Sequence, residues 1–121
     1  MPNKTTVGRV SALPARRFGK LVLKEIMKDA LPGASTLFVH IPPRTKLPAI
    51  YHKNTREIVV CLKGRAIAVL DNRRHRISQG SYIFIPPNVR HAFITTAQSC
   101  DAIAIFSPPL WLDPKADVIE E

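Results

Sequence analysis

Short apolar segments separated by turn residues recur along most of this 121-residue chain. They are rich in β-branched and aromatic side chains, which is typical of β-strands. The segments are residues 36–41, 49–52, 57–62, 65–70, 74–77, 81–85, 91–95 and 100–106. Turn signals between them are Lys63-Gly64, Asp71-Asn72, and residues 78–80, 86–88 and 97–99. Because about seven to nine strands follow one another with no long helix between them, the pattern predicts an all-β antiparallel sandwich or barrel.

The two ends of the chain lack this regular pattern. Residues 1–17 have no clear period and are predicted to form an N-terminal arm. Residues 18–27 alternate loosely, which favours an edge strand, although a short helix also fits. We therefore assign a barrel domain to residues 18–107 and a C-terminal tail to residues 108–121. In the tail, the apolar pair Leu110 and Trp111 is predicted to pack on the barrel, while residues 113–121 stay peripheral.

Strand alternation assigns the side chains of residues 57–62 to two faces. If Glu57 points into the barrel, then Val59 and Cys61 point inward as well. The opposite face carries the apolar side chains Ile58, Val60 and Leu62. An apolar outward face, together with an N-terminal arm that could extend a partner's sheet, predicts a homodimer.

Three residues within this pattern carry metal-ligand chemistry: His52, Glu57 and His91. A glutamate at the mouth of an apolar barrel is costly unless it is paired or bound to a cation. Two imidazoles that converge on it would make that cation a divalent metal. A simpler interpretation stays open, in which each histidine is solvated and Glu57 pairs with a neighbouring lysine or arginine. The remaining histidines are expected outside the group, with His40 in the core or lining the barrel and His75 in an exposed hairpin.

The spacing of these residues resembles the two sequence motifs of the cupins, a family of small β-barrel proteins. The first motif combines two histidines, a glutamate and two flanking glycines, and the second combines a glycine, a proline and a histidine. The matching residues are His52, Glu57 and Gly64 in the first motif and Gly80, Pro86 and His91 in the second. The match extends over residues 36–106, which is most of the chain.

Four positions depart from the cupin motifs. Arg44 stands for the first glycine, Ile50 for the first histidine, Asn88 for an inner glycine and Thr95 for the last asparagine. Asn88 is a mild change, because asparagine tolerates a positive φ angle at little cost. Only Ile50 removes a metal ligand, because its apolar side chain cannot coordinate.

The resemblance implies the double-stranded β-helix of the cupins, a jelly-roll barrel, with a divalent metal held by His52, Glu57 and His91. Two imidazoles and one carboxylate are also the ligands of non-haem iron oxygenases and of some catalytic zinc sites. The metal implied is therefore iron, manganese, nickel or zinc. With Ile50 in place of a fourth ligand, the metal keeps room for a substrate.

The resemblance further implies an enzyme of the dioxygenase, isomerase or decarboxylase type, acting on a small, oxygen-rich and anionic substrate. Arg44 and Arg90 lie close in sequence to the ligands and could hold a carboxylate or phosphate. Ile50 and Phe93 complete the predicted substrate-binding residues, because they share strand faces with His52 and His91. The alternative is a non-catalytic module whose barrel binds a small effector.

Charge and composition narrow the range of partners. The net charge of +9 comes from scattered basic residues, without a helix-turn-helix pattern or interleaved aromatic residues. This favours a solvated basic surface that attracts small anions over a specific nucleic-acid site. No apolar run approaches the ~20 residues that a membrane helix needs, so no membrane partner is expected.

The N-terminus lacks the apolar core of a secretory signal, which predicts a cytoplasmic protein. Cys61 and Cys100 both lie in apolar runs. In a reducing compartment they are predicted to be buried thiols rather than a disulfide.

Overall fold

The computed structural model describes residues 4–110 and 117–120, and these residues form ten β-strands. The strands are β1 (Arg16–Phe18), β2 (Leu21–Glu25), β3 (Ser35–Ile41), β4 (Ile50–Tyr51), β5 (Arg56–Leu70), β6 (Arg73–Ser78), β7 (Tyr82–Ile85), β8 (His91–Ile94), β9 (Cys100–Ser107) and β10 (Ile119–Glu120). One 3-10 turn, Val10–Ala12, precedes them. Every strand pair is antiparallel, so the predicted all-β antiparallel barrel is confirmed. Within the described ranges, no helix is long and apolar enough to cross a membrane.

Two sheets share the long strand β5 and curl around one core. The first sheet has the order β1-β2-β3-β9-β5-β7, and the second has the order β6-β5-β8-β4-β10. The first half of β5 pairs with β7 and β9, and its second half pairs with β6 and β8. This topology brings β4 and β8 together, with Ile50 paired to His91.

The prediction of two strands joined by a turn at Lys63-Gly64 is wrong. Residues 56–70 form one 15-residue strand, and its register to β9 shifts between Cys61 and Lys63. Gly64 has a φ of 79°, the left-handed conformation that glycine adopts easily. The extra residue of the bulge is Leu62, and Gly64 continues the pairing with Cys100, so the chain passes from one sheet into the next instead of reversing. The strand predicted within residues 18–27 is confirmed as β2, but it is not an edge strand, because Gly19 (φ 62°) turns the chain so that β1 pairs with β2 on its outer side.

The predicted alternation along the first half of β5 is confirmed. Glu57, Val59 and Cys61 are buried, whereas Ile58 and Leu62 are each 44% exposed. Cys61 packs against Cys100 from β9, and their sulphur atoms lie 3.7 Å apart, so both thiols are buried as predicted. Burial raises the pKa of the Cys100 thiol to about 12, and the adjacent Cys61 adds to this shift.

Three polar residues take the positive φ angles that their turns require. Asp71 (φ 46°) and Asn72 (φ 68°) connect β5 to β6 in a hairpin, which confirms the turn predicted at these two residues. Asn88 has a φ of 69°, so it adopts the conformation of the glycine that it replaces in the motif. Its main-chain N–H donates to the carbonyl of His52 at 2.7 Å, which links the two motifs directly.

The end of the chain differs from the prediction. Leu110 is buried as predicted, and its main chain exchanges two hydrogen bonds with the hydroxyl of Ser35. Trp111 lies outside the described residues. The prediction that the following residues stay peripheral is wrong for residues 117–120, because β10 pairs with β4. The open edge of β4 supplies main-chain hydrogen-bonding groups that this segment satisfies.

Candidate metal centre

Three separate elements place His52, Glu57 and His91 together. His52 directly follows β4, Glu57 is the second residue of β5, and His91 is the first residue of β8. Their exposed fractions are only 3%, 6% and 3%. A buried carboxylate facing two imidazoles is therefore the main polar feature of the described barrel interior.

The distances within this group suit a single metal ion. The Nε2 atom of His52 lies 3.3 Å from Oε1 of Glu57, and Nε2 of His91 lies 3.4 Å from the same oxygen. One ligand atom from each of the three residues lies within 4.8 Å of the others. Ligand atoms that share a metal at about 2.0–2.2 Å are themselves about 3.0–3.6 Å apart. The three residues could thus hold one ion with little movement.

Main-chain carbonyl groups fix which imidazole nitrogen carries the proton. Nδ1 of His52 donates to the carbonyl of Asp117 at 2.5 Å, and Nδ1 of His91 donates to the carbonyl of Val89 at 2.9 Å. A carbonyl can only accept, so in each neutral imidazole the lone pair is on Nε2, which faces Glu57.

Two atoms of the group lack a hydrogen bond. Nε2 of His52 and Oε1 of Glu57 have no hydrogen-bond partner among the described residues, although they lie within ion-pair distance. Buried polar atoms left in this way cost free energy, and a cation between them would remove that cost. This is the donor set and the local polarity that a divalent metal requires.

The group shifts two pKa values in opposite directions. Burial alone would lower the pKa of His52, but the carboxylate of Glu57 and the carbonyl of Asp117 outweigh it, so the pKa is raised above 6.5. Burial alone would raise the pKa of Glu57, but contacts with His52 and His91 outweigh it, so the pKa is lowered below 4.5. Without metal, the group is therefore stabilised as an imidazolium and carboxylate pair.

These shifts predict the pH dependence of stability without metal. The contribution of His52 is fully present below pH 6.5 and is lost as the pH rises through its raised pKa. The contribution of Glu57 is present above pH 4.5 and is lost as the pH falls through its lowered pKa. We therefore expect the free energy of unfolding of the wild type to exceed that of His52→Gln most between pH 4.5 and 6.5.

Urea unfolding of metal-free protein at several pH values measures this difference. His75→Gln, which changes an exposed histidine on β6, should keep the wild-type profile. If the free energy of unfolding of the wild type exceeded that of His52→Gln by more at pH 9 than at pH 6, the raised pKa of His52 would be contradicted.

Apolar side chains enclose the two imidazoles. The ring of Phe106 meets His52 edge-on with centroids 5.9 Å apart, and the ring of Phe93 meets His91 at 6.5 Å. Cross-strand partners share a face of the sheet, so Ile50 is on the same face as His91. Two predicted substrate-binding residues, Ile50 and Phe93, are thus next to the candidate metal ligands.

The two arginines that were predicted to bind substrate are not part of the group of three candidate ligands. Arg44 is exposed and lines a groove of about 430 Å³ with Lys46 and residues 94–97, and none of the three candidate ligands lines that groove. The guanidinium of Arg90 lies 5.4 Å from the ring centre of Tyr51. Their predicted role in holding an anionic substrate stays a prediction.

Two further residues extend or correct the sequence interpretation. His40 points outward, with its side chain 37% exposed, and pairs with Asp101 across β3 and β9, so it does not line the barrel. Asp117 contacts the candidate metal centre, but no feature of the sequence pointed to it. Its distance of 65 residues from His52 explains why local patterns gave no signal.

Solved structures of other proteins have a similar fold. A protein from Planctomyces limnophilus is 24% identical, with a TM-score of 0.77 over 97% of each chain. The Streptomyces nucleoside dehydratase Pac13 is 12% identical, with a TM-score of 0.77 over 98% of this chain and 92% of that chain. A predicted oxalate decarboxylase from Thermotoga maritima is 18% identical, with a TM-score of 0.77 over 85% and 99%. At these identities the likeness shows a shared fold.

A comparison with curated proteins found no match. A sequence model of the cupin domain, in contrast, matches residues 37–107. This range is more than half of the chain, and it contains all three candidate ligands. The protein therefore belongs to the cupin family.

Proposed function

We propose that this cupin is a metal-dependent enzyme that acts on a small, oxygen-rich and anionic substrate, by a reaction of the dioxygenase, isomerase or decarboxylase type. His52, Glu57 and His91 would hold the metal, which is iron, manganese, nickel or zinc. One observation carries the proposal: both imidazoles donate Nδ1 to carbonyl groups, so both Nε2 atoms face the same buried carboxylate oxygen. Two similar folds with enzyme names, a nucleoside dehydratase and a predicted oxalate decarboxylase, support an enzyme.

The surrounding residues favour catalysis over a purely structural metal. Three protein ligands leave coordination positions open, as in catalytic rather than structural zinc sites. Ile50 occupies the place of a fourth ligand on the face of His91 and offers no donor atom. Phe93 and Phe106 pack against the imidazoles and exclude water from them. A bound divalent metal would supply Lewis-acid polarisation of a substrate oxygen.

The positive charge of the protein supports an anionic substrate. The chain carries a net charge of +9, which raises the local concentration of small anions near the surface. Arg44 with Lys46 in the open groove, and Arg90 beside Tyr51, are the proposed cations for this attraction.

Titration of purified protein with zinc, manganese, nickel and iron tests the metal site. We expect wild type to bind with micromolar or tighter affinity, and Ile50→His to bind about tenfold or more tightly, because it adds a donor atom on the face of His91. Isothermal titration calorimetry and metal analysis after gel filtration measure both.

Leu31→His is the matched control, because it places the same new imidazole at an exposed apolar position between β2 and β3 and should leave affinity unchanged. Absence of binding in the wild type at micromolar metal would refute the proposal. Tight metal binding without turnover of any small carboxylate, sugar acid or nucleoside would favour the non-catalytic module.

We also propose that the protein is a homodimer that buries the outer apolar face, defined as Ile58, Leu62, Tyr82, Phe84 and Ile105. Tyr82 and Phe84 are 78% and 54% exposed, which is unusual for aromatic residues of a strand. Register places Ile58 between Phe84 and Ile105, so these side chains form one continuous patch. Continuous patches of this kind mark protein interfaces, and a second copy of the same face is the most common partner.

Phe84→Glu is expected to convert the dimer to a monomer, because a carboxylate would be buried without a partner. The dissociation constant should rise at least about a hundredfold, which corresponds to roughly 3 kcal/mol. Light scattering at micromolar concentration measures the mass. Arg74→Glu on the exposed strand β6 is the control and should stay dimeric. A wild-type mass near the 13.5 kDa of one chain would contradict the proposal.

A further inference from the structure

We infer that residues 117–120, the C-terminal strap, position His52 for metal binding, with Asp117 as the positioning residue. The inference rests on the proposed metal site, because it concerns how that site is held together. Its consequence is that metal affinity depends on a segment outside the matched cupin domain.

The strap holds the chain on both sides of His52. Before His52, β10 pairs with β4 through Ile119 to Tyr51 and Glu120 to Ile50. After His52, the carboxylate of Asp117 accepts hydrogen bonds from three successive main-chain N–H groups. These donors are Lys53 at 2.9 Å, Asn54 at 2.7 Å and Thr55 at 3.2 Å. At His52 itself, the carbonyl of Asp117 accepts the hydrogen bond from Nδ1.

His52 depends on these contacts more than the other two ligands do. Glu57 sits in the 15-residue strand β5 with paired neighbours on both sides, β7 and β9. His91 begins β8, which pairs with β5 at four positions. His52, in contrast, follows a two-residue strand that meets β8 only through Ile50. Apart from the strap, the hydrogen bond from Asn88 to its carbonyl is the main-chain contact that holds it among the described residues.

The strap also selects the tautomer of His52. The Asp117 carbonyl retains the proton on Nδ1, so Nε2 keeps the lone pair that faces Glu57. His91 receives the equivalent contact from Val89, only two residues away, so its tautomer does not require the tail. The two imidazoles of one site are therefore fixed in different ways, one locally and one by the strap.

Asp117→Ala tests this role in the 121-residue chain. It removes the three carboxylate hydrogen bonds, releases the strap and is expected to weaken zinc binding about 10-fold to 100-fold, the usual effect of losing a partner that orients a metal ligand. Asp117→Asn keeps one oxygen acceptor and should fall between wild type and Asp117→Ala. Glu120→Gln removes the same charge from the same strap without touching residues 53–55 and should stay within about twofold of wild type. Zinc affinity of Asp117→Ala within twofold of wild type would overturn the inference.

The imidazole tautomers of metal-free protein give a second measurement. At a pH above the raised pKa of His52, where its imidazole is neutral, long-range nitrogen NMR spectra should show the proton on Nδ1 in both His52 and His91 of the wild type. In Asp117→Ala, His52 should become a mixture of tautomers while His91 stays unchanged, which also shows that the variant is folded. An unchanged His52 tautomer would overturn the inference.

This readout separates the two proposals. Wild type that binds no metal but shows the His52 change in Asp117→Ala would refute the metal site and support the strap. Metal binding with equal affinity in the wild type and in Asp117→Ala would support the metal site and refute the role of the strap.

Discussion

Replacing Glu57 by Ala is expected to remove most of the bound metal. Glu57 contributes the oxygen that both Nε2 atoms face, at 3.3 Å from His52 and 3.4 Å from His91. A site with three protein ligands has no spare donor, and two imidazoles alone compete poorly with water. We expect the dissociation constant to rise at least about a hundredfold, or roughly 3 kcal/mol.

Calorimetric titration with zinc measures this loss, and circular dichroism of the metal-free variant verifies that it is folded. Glu57→Gln, nearly the same size but uncharged, should lose affinity as well, which separates the ligand effect from a cavity effect. Glu25→Ala on β2 changes a glutamate outside the group and should bind like wild type. Metal retained by Glu57→Ala at wild-type affinity would contradict the ligand assignment.

Gly64→Ala is expected to destabilise the protein by about 3–5 kcal/mol, a large effect for one methyl group. A Cβ at this position would lie 1.9 Å from the carbonyl oxygen of Ser99 and 3.0 Å from its carbon, both main-chain atoms. Gly64 pairs with Cys100, the residue after Ser99, and this pairing holds the main chain of Ser99 in place. The alanine would therefore have to displace the β5 to β9 pairing as well as adopt a positive φ.

Gly80→Ala is the matched control. Gly80 also has a positive φ, 91° against 79° at Gly64, but a Cβ there would meet no atom within 4 Å. Gly80→Ala should therefore lose only the stability that backbone strain costs, about 1–2 kcal/mol. Urea unfolding of both variants measures the difference. Equal losses of stability would show that the contact with Ser99 does not matter.

The sequence alone was sufficient for the fold class and for the three candidate ligands. Alternation along residues 57–62 specifies which side chains are inward, because neighbouring residues of a strand point to opposite faces. The structure buries Glu57 and exposes Ile58 accordingly. The turns at Asp71, Asn72 and Asn88 were also predictable from local sequence, because asparagine and aspartate tolerate a positive φ.

Other features required the tertiary structure, because they depend on residues that are distant in sequence. Gly64 is compatible with a turn and with a continuous strand, and its pairing with Cys100 of β9 shows that the strand continues. His40 lies in an apolar segment, yet its outward position is set by the register to β9. Neither outcome has a local pattern that could reveal it.

The candidate metal centre also combines features that the sequence predicts with features that only the tertiary structure shows. The resemblance to the cupin motifs pointed to His52, Glu57 and His91, and the structure brings these three side chains together. No pattern in the sequence indicated that Asp117 contacts His52, and the prediction of a peripheral tail was wrong for residues 117–120. Periodicity records whether a side chain is buried, whereas the hydrogen bonds that orient a buried ligand are made wherever the folded chain returns, here from 65 residues away.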